Sequence, residues 1–522
     1  MPTLEWIGKD KVVNHHLDVP YRVLERQYSY DENGQHEEDN GSENMIIHGD
    51  NLDALKSLLP RYEGQIKCIY IDPPYNTGNE KWVYNDNVND PRIMKWLGQV
   101  VGVEGEDLSR HDKWLCMMYP RLKLLQRLLA DDGVIFISID DIEVTYLRLI
   151  MDEIFGKSNF ISQLVWKSRQ NKDNRNVTNV SIDHEYVLCY GTKLRGCARK
   201  TDQYQNPDND PRGPWVSANM AGLATADARP NLHYDLIDPS TGINYGRPAK
   251  GWRYDRNTMS RLISEGRILW PETPNGRPRK KQFLSDLEAE FTGYSSIIGE
   301  SFFTRDGNKE QNAIWGQVVF DFPKNTGLLM ELIEQATEDG DIILDSFAGS
   351  GTTAHAVLNM NKSDGGNRKF ILVEMMDYAD SITAERVKRV IHGYGEGKKA
   401  VEGTGGNFSY YELGEPLMIG DVLNEEVGVD KIREYVYFTD TKSRLPEPHP
   451  DEPYYMGVHV NSAYYFYYER ETITTLNREF LHTIKTKADA YVIYADLCMF
   501  SDAELEKYHI TFKKIPRDIT KL

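Results

Sequence analysis

An acid, two prolines and an aromatic residue follow directly on an apolar run, as Asp72-Pro73-Pro74-Tyr75. The run predicts a buried strand. It must end at these residues, because proline fixes φ and cannot donate to a sheet ladder. Open α/β sheets bind their ligands at the carboxyl ends of strands. We therefore expect the Asp72 carboxylate, the Pro73 carbonyl and the Tyr75 ring to lie together at such an edge.

This trio suits chemistry at the exocyclic amino group of a nucleobase. That group is a weak nucleophile, because its lone pair is delocalised into the ring. Acceptors on both N–H groups, such as the Asp72 carboxylate and the Pro73 carbonyl, would stabilise the positive charge that develops during attack. Tyr75 could stack on the base. A plain strand end with a proline-rich turn is the alternative that the segment alone leaves open.

A glycine-containing turn, Phe347-Ala348-Gly349-Ser350-Gly351, follows a second predicted strand that ends at Asp345. Glycines at a strand-to-helix turn let a ligand approach the backbone. The next predicted strand ends at Glu374, which could accept hydrogen bonds from ribose hydroxyls. The turn lacks the three-glycine dinucleotide fingerprint and a phosphate-binding lysine, which favours a nucleoside cofactor without phosphates. Without the Asp-Pro-Pro-Tyr segment, a chance glycine turn would be the simpler interpretation.

Alternating strand and helix patterns must position both turns. The predicted strands lie at residues 44–50, 66–71, 133–141, 162–167, 185–190, 342–345 and 370–374, and predicted helices lie at 52–59, 115–129 and 143–155. These elements predict two β-α-β units of an open α/β sheet. The polar residues 76–112 predict a flexible flap beside the site.

Composition bounds the protein class. The chain has 522 residues, with 40% hydrophobic and 27% charged residues, which is ordinary for a globular protein. We expect a cytoplasmic protein, since no run is long and apolar enough to span a bilayer and no signal pattern opens the chain. The cysteines are few and scattered, which indicates buried free thiols rather than disulfides or zinc: Cys68, Cys116, Cys189, Cys197 and Cys498.

The middle of the chain differs in charge from the rest. The net charge of the chain is −19, yet residues 161–320 hold 22 Lys and Arg against 18 Asp and Glu. Basic residues interleave with aromatic ones there, for example in residues 251–254, 267–271 and 277–281. This pattern favours a nucleic-acid surface, although solvated charge explains any single cluster.

The two motifs, in this order and with a long insert between them, resemble those of S-adenosylmethionine-dependent amino-methyltransferases of DNA, in the permuted β class. Residues 49–51, 137–141 and 251–254 are similar to modification subunits of type III restriction-modification systems. The resemblance implies a circularly permuted, doubly wound, Rossmann-like α/β sheet. The implied domains are an N-terminal arm (1–44), a catalytic half (45–190), a target-recognition domain (191–320), a cofactor-binding half (321–394), and a linker with a small C-terminal α/β module (395–522).

The resemblance also implies roles for individual residues. Asp72, Pro73, Pro74 and Tyr75 would hold and activate the target amino group. The implied pocket for S-adenosylmethionine comprises Asp345, Phe347, Gly349, Gly351 and Thr352, with Glu374 on the ribose, Asp50 at the adenine and Lys324 closing it. The family often has a lysine-proline pair at this last place, and Asn325 departs from that pattern.

The activity so implied is methylation of adenine N6 in double-stranded DNA, on a base flipped out of the stack. A homodimer and a restriction (helicase and nuclease) subunit are implied partners, and no metal is expected. Cytosine N4, RNA and protein glutamine remain alternative targets, although the family usually shows Ser in place of Asp72 for cytosine. A DNA-specificity subunit with vestigial chemistry is the alternative from another class.

Overall fold

The computed structural model describes residues 3–76, 106–172, 178–288 and 291–517. The expected flap at residues 76–112 lies largely outside them. The chain divides into two compact units, of which one is Arg195–Tyr294 and the other combines Met1–Leu194 with Ser295–Leu522.

The described residues form many short elements. The strands are β1 (Arg22–Asp31), β2 (Gly34–His36), β3 (Met45–His48), β4 (Ile66–Ile71), β5 (Leu129–Ile139), β6 (Phe160–Trp166), β7 (Glu185–Gly191), β8 (Cys197–Ala198), β9 (Trp215–Asn219), β10 (Ile268–Leu269), β11 (Arg279–Phe283), β12 (Phe291–Thr292), β13 (Ile297–Ile298), β14 (Ile342–Asp345), β15 (Lys369–Glu374), β16 (Gly393–Tyr394), β17 (Val401–Glu402), β18 (Phe408–Pro416), β19 (Met418–Ile419), β20 (Val422–Leu423), β21 (Tyr455–His459), β22 (Ser462–Phe466), β23 (Thr475–Leu476), β24 (Ala490–Ala495), β25 (Leu497–Cys498) and β26 (Ile510–Lys514). The α-helices are α1 (Lys9–Val12), α2 (His15–Asp18), α3 (Asn51–Tyr62), α4 (Glu106–Leu128), α5 (Val144–Met151), α6 (Arg256–Ser264), α7 (Thr304–Trp315), α8 (Thr326–Ala336), α9 (Thr352–Asp364), α10 (Glu385–His392), α11 (Val429–Thr441), α12 (Arg478–Thr483) and α13 (Asp502–Lys507).

The larger unit is organised around one sheet in the order β13-β6-β7-β5-β4-β14-β15-β3-β18-β1-β2. The run from β5 to β18 is parallel, and antiparallel strands extend it on both sides. The chain winds outward from β4 to β5 on one side and from β14 to β15 on the other. The winding therefore reverses between β4 and β14, as in a doubly wound sheet, which confirms the predicted fold class.

Helices cover the faces of this sheet, and the strands are accordingly apolar throughout. Ile69 and Ile71 pack in one core cluster with Leu55 from α3 and Leu122 from α4. Because alternate residues face opposite sides of a strand, Tyr70 lies on the other face of β4. The core thus fixes β4 on both sides and with it the segment that follows.

The two ends of the larger unit differ from the expected arm and linker. Strand β1, from the expected arm, pairs with β18, and β18 pairs in parallel with β3 inside the main sheet. The hydroxyls of Ser29 and Ser409 meet at 2.8 Å between these strands. Local patterns do not reveal this pairing, because Ser29 and Ser409 are 380 positions apart in sequence. A second sheet, β21-β22-β24-β26, forms the core of the expected C-terminal module.

The smaller unit, Arg195–Tyr294, is shorter than the expected 191–320 insert. Strand β13 pairs with β6 in the main sheet, so the chain has returned to the larger unit by Ile297. Inside the smaller unit, Trp252 is 1% exposed and packs with Met220 and Tyr234 in the core. One of the aromatic residues expected on a nucleic-acid surface is therefore a core residue.

Three cysteines are buried as expected, whereas Cys197 is exposed and Cys498 is half-buried. Among the described residues, no cluster of His, Cys, Asp and Glu is arranged to hold a metal ion. The helices of the same residues include none that is long and apolar enough to cross a membrane.

Candidate active site

The two motif segments follow neighbouring strands. Strands β4 and β14 are parallel, with Cys68 beside Ile343 and Ile69 beside Leu344. Asp72 and Asp345 are therefore carried to the same edge of the sheet, at the point where the winding reverses. The resemblance to the permuted class implied this juxtaposition.

A cavity of about 340 Å³ opens at this edge. Seven of the expected site residues line it: Asp72, Pro74, Lys324, Asp345, Phe347, Gly349 and Thr352. The other expected residues, Pro73, Tyr75, Gly351, Glu374 and Asp50, are not among its lining residues. All of them except Asp50 immediately neighbour or directly contact residues that line it.

Lys324 connects the Asp-Pro-Pro-Tyr segment to a residue that the sequence did not single out. Its ammonium lies 3.0 Å from Asp72 Oδ1 and donates to the Tyr75 hydroxyl at 2.8 Å. Glu185 Oε2 accepts from the Tyr75 hydroxyl at 3.0 Å and lies 3.3 Å from Lys324 Nζ. Two carboxylates therefore share one ammonium.

Burial and charge act in opposite directions on these groups. Burial disfavours the charged form of Lys324, but the carboxylates of Asp72 and Glu185 outweigh it and raise the pKa of the lysine. Burial raises the pKa of the Asp72 carboxyl, and Lys324 partly offsets that rise. The charged form of Lys324 is therefore favoured in this buried position between the Asp72 and Glu185 side chains.

Neighbouring side chains hold the Asp-Pro-Pro-Tyr segment in place. The Trp114 indole N–H donates to the Pro74 carbonyl at 2.7 Å. Asn76, with φ of 58°, donates from its side chain to the buried Glu143 carboxylate at 2.5 Å. These bonds hold the chain on both sides of Tyr75, whose own hydroxyl is bonded to Glu185 and Lys324.

The glycine turn is held by two buried acids. Glu374 accepts from the backbone N–H groups of Gly349, at 2.8 Å, and Met376, at 3.0 Å. Asp345 accepts from Phe347 N at 3.0 Å and the Thr353 hydroxyl at 2.5 Å. Burial, with the nearby Asp72 and Glu374 carboxylates, raises the pKa of Asp345 to about 7.

Gly351 is required by the backbone. It caps α9 with φ of +77°, and a Cβ there would lie 2.9 Å from the carbonyl oxygen of Thr383. Both the left-handed conformation and the close approach exclude a larger residue. Gly351 therefore shapes the turn although it does not line the cavity.

A buried arginine ties this turn to the chain around Lys324. Arg386 donates to the hydroxyls of Ser350, at 3.0 Å, and Thr352, at 2.8 Å, and lies 3.1 Å from Glu310. Glu310 also accepts from the Asn325 side chain at 2.7 Å. Local sequence patterns do not reveal this network, because Arg386 and Glu310 lie in ordinary amphipathic helices.

Asn325 departs from the lysine-proline pattern for a visible reason. Its side-chain oxygen accepts from Gly327 N at 2.9 Å and Leu328 N at 3.3 Å, which caps α8. Its amide nitrogen donates to Glu310. The helix cap and the bond to Glu310 fix the backbone next to Lys324 without a proline.

Asp50 lies away from the cavity lining. Its carboxylate caps α3 by accepting from Leu52 N at 2.8 Å and lies 3.6 Å from Arg121. The geometry accounts for Asp50 as a structural residue, and its expected contact with the cofactor stays a prediction.

The charges of the lining residues indicate which kind of cofactor the cavity can bind. Among the described lining residues, three carboxylates, of Asp72, Asp321 and Asp345, face one cation, Lys324. Such a cavity favours a cationic ligand over a polyphosphate. The sulfonium of S-adenosylmethionine fits this charge.

Residues 66–385 match the model of a family described as DNA methylase. The Mod subunit of the type III restriction-modification enzyme StyLTI from Salmonella typhimurium is 33% identical, over 68% of this chain and 58% of the relative. The EcoP15I Mod subunit from Escherichia coli is 29% identical, over 75% of this chain and 66% of the relative. The type II methyltransferase M.KpnI from Klebsiella pneumoniae is 34% identical, over 64% of this chain and 81% of the relative. The chain spans less than two thirds of the length of the two Mod subunits.

Proposed function

The chain belongs to the DNA methylase family, and we propose that it methylates N6 of a flipped adenine in double-stranded DNA, with S-adenosylmethionine as donor. We propose further that it is the modification subunit of a type III restriction-modification system. The observation that supports the activity best is that Asp72 and Gly349 line one cavity at the reversal of the sheet. The similarity to two type III Mod subunits supports the system and, with it, the restriction subunit as a partner.

The residues of the glycine turn would hold the cofactor. Gly349 and Phe347 line the cavity, and Glu374 anchors the Gly349 N–H. S-adenosylmethionine supplies an electrophilic methyl group on a positively charged sulfur. The carboxylates at the cavity wall complement that charge, and Lys324 limits their mutual repulsion.

The Asp-Pro-Pro-Tyr segment would hold the acceptor. Asp72 accepts a hydrogen bond from the amino group and stabilises the positive charge that develops on nitrogen as the N–C bond forms and the methyl–sulfur bond breaks, with that bond's electron pair staying on sulfur. That nitrogen then loses a proton to water. Tyr75, held by Glu185 and Lys324, offers its ring to the extruded base and so offsets part of the lost stacking.

The unit Arg195–Tyr294 is our candidate for reading the DNA sequence. Its exposed basic residues are suited to phosphate contacts: they include Arg253, Arg261, Arg277 and Arg279. Other cations in this unit serve its own structure, since Lys281 pairs with Asp208 and Asp210 and Arg267 pairs with Asp286. The exposed arginines also make internal contacts, since Arg279 donates to Ser217 and Arg261 lies 3.8 Å from Glu265. Their exposure nevertheless makes them our candidates for the DNA-binding surface.

Methyl transfer tests the proposed activity directly. The protein is incubated with tritiated S-adenosylmethionine and unmethylated genomic DNA, and the product is sequenced by a method that detects modified bases. We expect N6-methyladenine in one sequence context. Label in cytosine would contradict the assigned target, and no incorporation would contradict the activity.

Cofactor affinity should rise with pH around neutrality. The pKa of Asp345 is raised to about 7 by burial, so its carboxyl is neutral below that pH and ionised above it. A cation binds the ionised form more tightly, and we expect affinity for S-adenosylmethionine to increase about threefold to tenfold from about pH 6 to about pH 8. Calorimetric titration measures this change.

Without ligand, the same shift has the opposite sign for stability. In the folded state Asp345 keeps its proton at pH values well above the ordinary pKa of an aspartate, whereas in the unfolded state it has already lost it. The free energy of unfolding therefore falls as pH rises toward about 7. Asp345→Asn is the control, because it should flatten the rise in affinity. The pH dependence of affinity that remains in this variant comes from the α-amino group of S-adenosylmethionine, which has a pKa of about 8. An unaltered pH dependence in this variant would contradict the assignment.

A further inference from the structure

Lys324 is placed where it competes with the proposed substrate. Its ammonium is 3.0 Å from Asp72 Oδ1, and the proposed function requires that carboxylate to accept from an amino group. The Lys324 side chain is only 11% exposed, so water is a poor alternative partner for its ammonium. A second anion must therefore be within reach if Asp72 is to be released.

Glu185 meets this requirement. Its Oε2 lies 3.3 Å from Lys324 Nζ, close enough that a small rotation of the lysine side chain exchanges one carboxylate for the other. Glu185 opens β7, which runs antiparallel to β5. Its side chain therefore reaches the edge where the parallel strands β4 and β14 end.

We propose that Glu185 is a positioning residue that receives Lys324 when an amino group occupies Asp72. This inference rests on the proposed methyl transfer. Tyr75 remains in place during the exchange, because its hydroxyl donates to Glu185 while its ring lies 4.9 Å from the ammonium.

The charge of the cluster supports the same role. Asp72, Glu185 and Lys324 together carry a net charge of −1, which balances one positive charge shared between the sulfonium and the accepting nitrogen. Without Glu185, Lys324 would neutralise Asp72 and the cluster would carry no net charge. The transferred charge would then lose its counter-ion in a site shielded from water.

Glu185→Gln tests the proposal, since it removes the charge and keeps the size. We expect kcat for DNA methylation to fall about 10-fold to 100-fold, with KM for S-adenosylmethionine changed less than about threefold. Glu338→Gln is the matched control, because it removes the same charge from an exposed turn before β14. It should stay within about twofold of the wild-type rate.

A second substitution separates this role from simple support of the fold. In the Glu185→Gln background, Lys324→Met should raise kcat, because no lysine ammonium then pairs with Asp72. In the wild-type background, Lys324→Met should lower kcat. Thermal unfolding of each variant confirms that it is folded. A Glu185→Gln rate within twofold of wild type, or a Lys324→Met loss that is equal in both backgrounds, would overturn the proposal. A wild-type protein that transfers no methyl group would overturn the proposed function and this inference with it.

Discussion

Asp72→Ala should lower the rate of DNA methylation by at least about 100-fold while the affinity for S-adenosylmethionine changes less than about threefold. Loss of one positioned group that stabilises transition-state charge typically costs 10²-fold to 10³-fold in kcat. The glycine turn is held by Glu374 and Arg386 rather than by Asp72, so it should keep its shape. Single-turnover methylation and calorimetric binding measure the two quantities.

Asp72→Asn is the matched control for this experiment. Asparagine keeps the size of the side chain and one acceptor oxygen but removes the charge, so we expect a loss between those of wild type and Asp72→Ala. An Asp72→Ala protein that methylates DNA at the wild-type rate would exclude the assigned role. An Asp72→Ala protein that no longer binds the cofactor would place Asp72 in the cofactor site instead.

Arg386→Met should lower the free energy of unfolding by about 3–5 kcal/mol, because breaking a buried ion pair leaves the other charge uncompensated. The Arg386 side chain is fully buried, and its partner Glu310 is 20% exposed at its side chain. The change also removes two bonds to the hydroxyls of Ser350 and Thr352 in the glycine turn. Affinity for S-adenosylmethionine should therefore fall as well. Chemical denaturation and calorimetry measure the two effects.

A neighbouring arginine provides the control. Arg389 lies on the same helix and pairs with Glu385 one turn away, with 40% of its side chain exposed. Exposed pairs of this kind contribute little, so Arg389→Met should cost less than about 1 kcal/mol. The double variant Arg386→Met with Glu310→Gln should recover part of the stability, since it removes the stranded charge. Equal costs for the two arginines would contradict the importance of the buried network.

The predictable part of the site was local. Two proline residues mark the end of β4, and glycines mark the turn after β14, because each has backbone geometry that few other residues satisfy. Strand ends in a doubly wound sheet share one edge, and the resemblance to the permuted class predicted that the strands ending at Asp72 and Asp345 are neighbours. Their roles in the reaction stay predictions.

The unpredicted part depends on pairing between distant segments. Glu185 reaches the site only because β7 is antiparallel, and no local pattern gives strand direction. Arg386 and Glu310 read as ordinary helix charges until packing buries them together. Strands β1 and β18 and the core residue Trp252 were misjudged for the same reason, since burial is a property of the assembled sheet and core. The sequence alone determines the chemistry of each residue and its local backbone geometry. Which charged side chains become partners is determined by how the strands associate in the tertiary structure.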